Sequence, residues 1–96
     1  MAERTILGDL TQQPHAEVFE TPRPRTVRLS LDADERIPRH THEDSNAVLH
    51  LLSGRLELTL GDETHTLDAG ELIRFSGDQG VSPYAVEPST AVVVFS

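Results

Sequence analysis

Arg55-Leu56-Glu57-Leu58-Thr59-Leu60 is followed by Gly61-Asp62 and then by Glu63-Thr64-His65-Thr66-Leu67. Leucine stands at every second position of the first segment, between charged or hydroxyl side chains. Successive side chains of a strand point to opposite faces, so this spacing makes a half-buried strand; a helix would repeat its apolar residues at a period of about 3.6. Gly61-Asp62 turns the chain, and Glu63–Leu67 returns as the hairpin partner.

The same grammar extends in both directions. Thr26–Leu31 places Val27, Leu29 and Leu31 on one face. Leu72–Phe75, Pro83–Glu87 and Ala91–Phe95 are further short strands, set off by Asp68-Ala69-Gly70 and the Gly-rich loop Ser76–Ser82. Ala47–Leu52 is apolar on both faces, which predicts a strand covered on both sides, one side by the interior and the other by a partner subunit. Ala16–Glu20 is a weak strand ended by Pro22 and Pro24, which cannot donate to a ladder. Residues 1–15 form an arm or edge strand, and residues 16–96 the body. No segment has helical periodicity. The expected fold is all-β, a small antiparallel barrel or jelly roll whose closure removes exposed edges.

Bulk properties narrow the function. The 96 residues make one domain, and without cysteine there is neither disulfide nor thiolate ligand. A net charge of −8 disfavours nucleic acid as a partner. All eight cationic residues are arginine. The longest apolar run, Val92–Phe95, is too short to cross a bilayer, and the first residues lack the apolar stretch of a signal peptide. The expectation is a soluble cytoplasmic protein.

The chemistry concentrates in Ile37-Pro38-Arg39-His40-Thr41-His42. In an extended segment the side chains of His40 and His42 emerge on one face about 6.6 Å apart, close enough to converge on one ion or ligand. Arg39 and Arg74 suit either a substrate carboxylate or a surface ion pair. His50 has the opposite parity from Ala47, His65 belongs to the hairpin, and His15 lies in the solvated arm. No serine has an acid–base partner in the sequence, so a serine triad has no support.

From about Val27 to Phe95 the chain resembles the cupins, specifically the small single-domain conserved-barrel type with a double-stranded β-helix fold. The likeness rests on His40-Thr41-His42, on Leu52-Ser53-Gly54 and on Asp68-Ala69-Gly70-Glu71. Asp34 stands at the opening glycine of the first motif. The resemblance implies a metal held by three histidines and a glutamate. Here the glutamate position is Ala47, and the third histidine falls near Pro83-Tyr84 and is assigned to Tyr84. It therefore implies His40 and His42 as metal ligands, with Tyr84 and Ala47 facing the ligand. A divalent ion (Zn, Ni, Cu, Fe or Mn) on two imidazoles alone would be weakly held. The implied function is a small-molecule-binding barrel with or without metal-assisted catalysis, dimeric through Val48–Leu52. The alternative is a non-catalytic sensor or scaffold with a vestigial metal site.

Overall fold

The structure is a computed structural model and describes residues 2–96. It contains eight strands: β1 (His15–Glu17), β2 (Arg25–Leu31), β3 (Asn46–Ser53), β4 (Arg55–Leu60), β5 (Glu63–Asp68), β6 (Leu72–Ser76), β7 (Val81–Ala85) and β8 (Ser89–Phe95). They form a five-stranded sheet in the order β1-β2-β8-β3-β6 and a three-stranded sheet in the order β5-β4-β7, with every pairing antiparallel. The all-β reading holds, and the alternating leucines explain it. Leu56, Leu58 and Leu60 of β4 are buried against Leu29, Leu49, Leu51 and Val93 of the facing sheet. Two one-sided sheets meeting on their apolar faces is the economical way to bury such strands.

The register arranges the inner face of the large sheet in rows. Arg25, Phe95, Ala47 and Phe75 form one row, Val27, Val93, Leu49 and Ile73 the next, and Leu29, Ala91 and Leu51 the third. Arg25 and Phe95 of the first row are exposed or part-buried, whereas Leu29, Ala91 and Leu51 of the third are all buried.

Several boundaries differ from the sequence reading. The weak strand starts at His15, so the division at residue 15 falls inside β1. A short 3-10 turn forms at Leu7–Asp9 in the arm. The loop at Ser76–Ser82 is shorter than expected, because Val81 and Ser82 already belong to β7. The extended segment that carries the histidines, Arg36–His42, is not a continuous strand and makes only isolated bridges from Arg36 to Tyr84 and from His40 to Val81. Pro38 is the cause: it has no N–H to donate, and the ladder must break around it.

Two turn positions explain their residues. Asp34 has φ 66°, the left-handed conformation that a glycine would adopt there and that aspartate tolerates. Gly54 has φ 89°, and a Cβ on it would lie 2.3 Å from the Pro88 carbonyl oxygen. Only glycine satisfies both conditions.

Candidate functional site

The histidine segment runs beside β7 with a one-residue bulge. Ile37 N–H donates to Pro83 O at 2.9 Å, and His40 N–H donates to Val81 O at 3.1 Å. The segment thus advances from 37 to 40 while β7 moves back only from 83 to 81. That extra residue resets the parity, so Ile37 and His40 both face inward. His42, two residues on, follows His40 to the same side. The two rings meet edge to face with centroids 4.6 Å apart, and His42 also lies 4.5 Å from the Phe95 ring.

Behind the imidazoles is a cavity of about 530 Å³. Its interior is aliphatic and aromatic, formed by Val27, Leu29, Ile37, Leu49, Leu58, Phe75, Val81, Pro83, Val93 and Phe95. Its polar lining consists of His15, Arg25, Arg39, His40 and His42. A concave apolar pocket with a few converging polar groups is the usual form of a small-molecule site.

Each polar group is positioned. His40 donates Nδ1–H to the Pro38 carbonyl oxygen at 3.0 Å, which leaves Nε2 free to accept from, or bind, a guest. His42 is held by its backbone N–H on Gly77 O at 2.7 Å. Arg25 lies over the Phe95 ring at 5.3 Å and pairs with Glu17 at 3.0 Å. Arg39 packs on Gly80, where a Cβ would come 1.9 Å from its Nε. Burial holds the His42 imidazole below the ordinary histidine value, and the neighbouring His40, Arg25 and His15 act in the same direction. His15 is also lowered, by burial first, then by His40 and Arg25.

His40 and His42 are brought together at this wall. Tyr84 and Ala47 are not among the residues lining the cavity. Tyr84 projects outward from β7, donates its hydroxyl to Asp34 Oδ1 at 2.6 Å and carries the Arg36 guanidinium at 5.0 Å from its ring. The inward neighbour on β7 is Pro83, so a shift of one residue reverses the face. The Asp34 hydrogen bond, with burial second, raises the Tyr84 phenol above its ordinary value, which makes a phenolate less accessible. Ala47 points inward at 1% exposure, in register between Phe95 and Phe75.

His15 is exposed, as its reading as a solvated residue predicts, but it also borders the cavity, because β1 pairs with β2 and puts His15 opposite Leu29 on the inner face. His50 is half-buried on the opposite face of β3, and His65 lies 3.6 Å from Glu63 on the hairpin. Sequence reasoning missed Arg25 and Gly77. Arg25 shares the parity of Val27 and Leu29, a signal that was present in the sequence. Gly77 acts through space on His42 and left no local signal.

The donor set falls short of what a tightly bound, resident metal ion requires. The inward positions on β3 and β7 carry Ala47 and Pro83, which offer no ligand atom. Among the described residues no group of three or more His, Asp or Glu side chains converges as a metal site would require. Two imidazoles fall short of the three protein ligands typical of catalytic zinc.

Residues 27–95 match the family model described as "Cupin domain". No curated protein sequence matches the chain. Among solved structures, a conserved protein of unknown function from Streptococcus pyogenes is 30% identical, with TM-score 0.70, over 74% of this chain and 61% of that one. The chain thus spans under two thirds of that protein's length. KdgF from a Halomonas species superposes with TM-score 0.80 at 20% identity, over 97% of this chain and 93% of that one. The cupin domain of an XRE-family transcriptional regulator from Enterobacter cloacae gives TM-score 0.75 at 19% identity, over 84% of this chain and 92% of that one. The two sheets, the inward histidine pair and the family match over most of the chain together place this protein in the cupin family.

Proposed function

We propose that the protein is a small-molecule-binding cupin barrel whose guest lies between the two sheets, against His40 and His42. The observation that carries this reading is the cavity itself: about 530 Å³ of space beneath two imidazoles, in a domain otherwise packed with buried leucines. The lining is almost wholly apolar, so water held there finds few hydrogen-bond partners, and an apolar guest that displaces it gains the burial of its own surface. No substrate-converting step is assigned to the site. A sensor role sits comfortably with the same geometry, and the Enterobacter regulator is a protein in which a similar fold serves as one domain.

A second reading is a weakly held divalent ion on the histidine pair. One contact favours it: the His40 Nδ1–H bond to Pro38 O fixes the ring and turns the Nε2 lone pair away from that carbonyl, as carbonyl partners do for ligating histidines. Metal analysis of protein purified without a nickel column tests it. One equivalent taken up on dialysis against zinc, and lost in His40→Ala and His42→Ala, supports the ion; no uptake ends this reading.

The main reading is tested by methyl NMR of protein held in EDTA and titrated with indole, a neutral apolar probe. Saturable shifts at Leu49, Leu58 and Val93, with Leu72 on the outside unmoved, are the expected result. No shift at the interior methyls up to the solubility limit of indole overturns it.

A further inference from the structure

We infer that the guest of this barrel is an amphipathic organic anion, its apolar body enclosed by the leucine-lined interior and its carboxylate held at the mouth by the Arg39 guanidinium. The inference rests on the binding-barrel reading and names the ligand class of that same site.

Three observations carry it. The first is the distribution of charge. The chain has twice as many acidic as basic residues, 16 against 8. Yet the cavity lining contains two arginines, three of the five histidines and no carboxylate. With Arg25 paired to Glu17 and the His15 and His42 imidazoles held toward their neutral forms, the positive charge at the mouth is that of Arg39, which attracts an anion locally while the acidic surface elsewhere repels it.

The second is the state of the two arginines. Arg25 is already engaged by the Glu17 carboxylate at 3.0 Å. Arg39 makes no ion pair among the described residues, although acidic side chains are plentiful. It is nevertheless seated, because Gly80 leaves the space that its guanidinium fills. A planar fork with five donors, positioned at a pocket rim and lacking a carboxylate partner, is matched to a bidentate carboxylate.

The third is the interior. Below the imidazoles the walls are formed by Leu29, Leu49, Leu58, Phe75 and Val93, which offer no hydrogen-bonding side chain. A polyhydroxylated guest would leave its hydroxyls unpaired there, at a cost of about 1–3 kcal/mol for each group. The body of the guest is therefore hydrocarbon or aromatic, and its polarity is confined to the end at the mouth.

The experiment titrates the full chain, in EDTA, with phenylbutyrate and with phenylbutyramide, following heat and the Leu49, Leu58 and Val93 methyls. The amide keeps the shape and removes the charge. The expected result is interior shifts with both, a preference of about tenfold for the carboxylate, and loss of that preference in Arg39→Met. Arg39 is exposed, so this variant should fold as the parent does. Equal affinities for the two probes overturn the anion inference while leaving the binding barrel in place. A carboxylate preference that survives in Arg39→Met overturns the assignment to Arg39. Interior methyls silent to both probes overturn the binding-barrel reading and the inference with it.

Discussion

Gly77 and His42 hold each other in place. The His42 N–H donates to Gly77 O at 2.7 Å, and a Cβ on Gly77 would stand 2.3 Å from the His42 carbonyl oxygen and 2.8 Å from the His42 Cβ. Gly77 N–H in turn donates to Ser45 O at 2.8 Å, so the loop after β6 clamps the loop that follows the histidines. Gly77→Ala must push this backbone apart. It should cost about 1–3 kcal/mol, the usual range for overpacking. It should also displace the His42 ring from the Phe95 ring, seen as a changed His42 ring shift in NMR. Wild-type ring shifts in the variant would show that the clamp does not position His42.

Stability should depend on pH through the same ring. His42 is lowered by burial and by His40, Arg25 and His15, which all disfavour its protonated form. His15 is lowered as well, by burial, His40 and Arg25 against the opposing Glu17. Because the folded values lie below the ordinary 6.5, the unfolded chain binds more protons in that window. The contribution is complete above 6.5 and is lost as pH falls through the lower folded values. The urea midpoint should therefore fall on acidification, and His42→Gln should flatten the slope. A wild-type slope in that variant would remove His42 as a cause.

Much of this architecture was readable from residue spacing. The alternating leucines at 56, 58 and 60 and the apolar residues at 27, 29 and 31 point to one-sided strands, and those positions are buried. What spacing alone could not supply was the face of each residue where the ladder is irregular. Pro38 and the bulge after Ile37 decide that Ile37 and His40 share a side. The start of β7 at Val81 decides that Pro83 faces inward and Tyr84 outward. His15 was unreadable for a different reason: its place depends on β1 pairing with a strand more than a turn away, and three residues carry little pattern.

The outer face of the large sheet keeps Val48 at 38%, Leu52 at 39% and Leu72 at 62% exposure. Val48 pairs with Arg74 and His50 with Leu72, so these side chains share one side of β3 and β6. A homodimer through this face, as the apolar pattern of Ala47–Leu52 suggests, would cover them. Light scattering should then give twice the chain mass, with Leu52→Glu reverting to monomer. A monomeric wild type at micromolar concentration would end the proposal.

Arg28 presents the reverse case, a cation buried on that same outer side. It is 7% exposed and held only by carbonyl oxygens of the arm, Gln12 O at 2.5 Å and Leu10 O at 3.5 Å, while its Nε has no partner among the described residues. No carboxylate among the described residues pairs with it, so its desolvation offsets much of what its hydrogen bonds contribute. Its role is to fasten the arm across β2, alongside the Thr5 hydroxyl bond to Val18 O at 2.6 Å. Arg28→Met keeps the bulk and removes the charge. Global stability should change by less than about 1 kcal/mol. Backbone amides of residues 5–12 should exchange faster, since the fastening is lost while the core is untouched. A cooperative loss of several kcal/mol, with arm exchange unaltered, would instead make Arg28 part of the core framework and the arm independent of it.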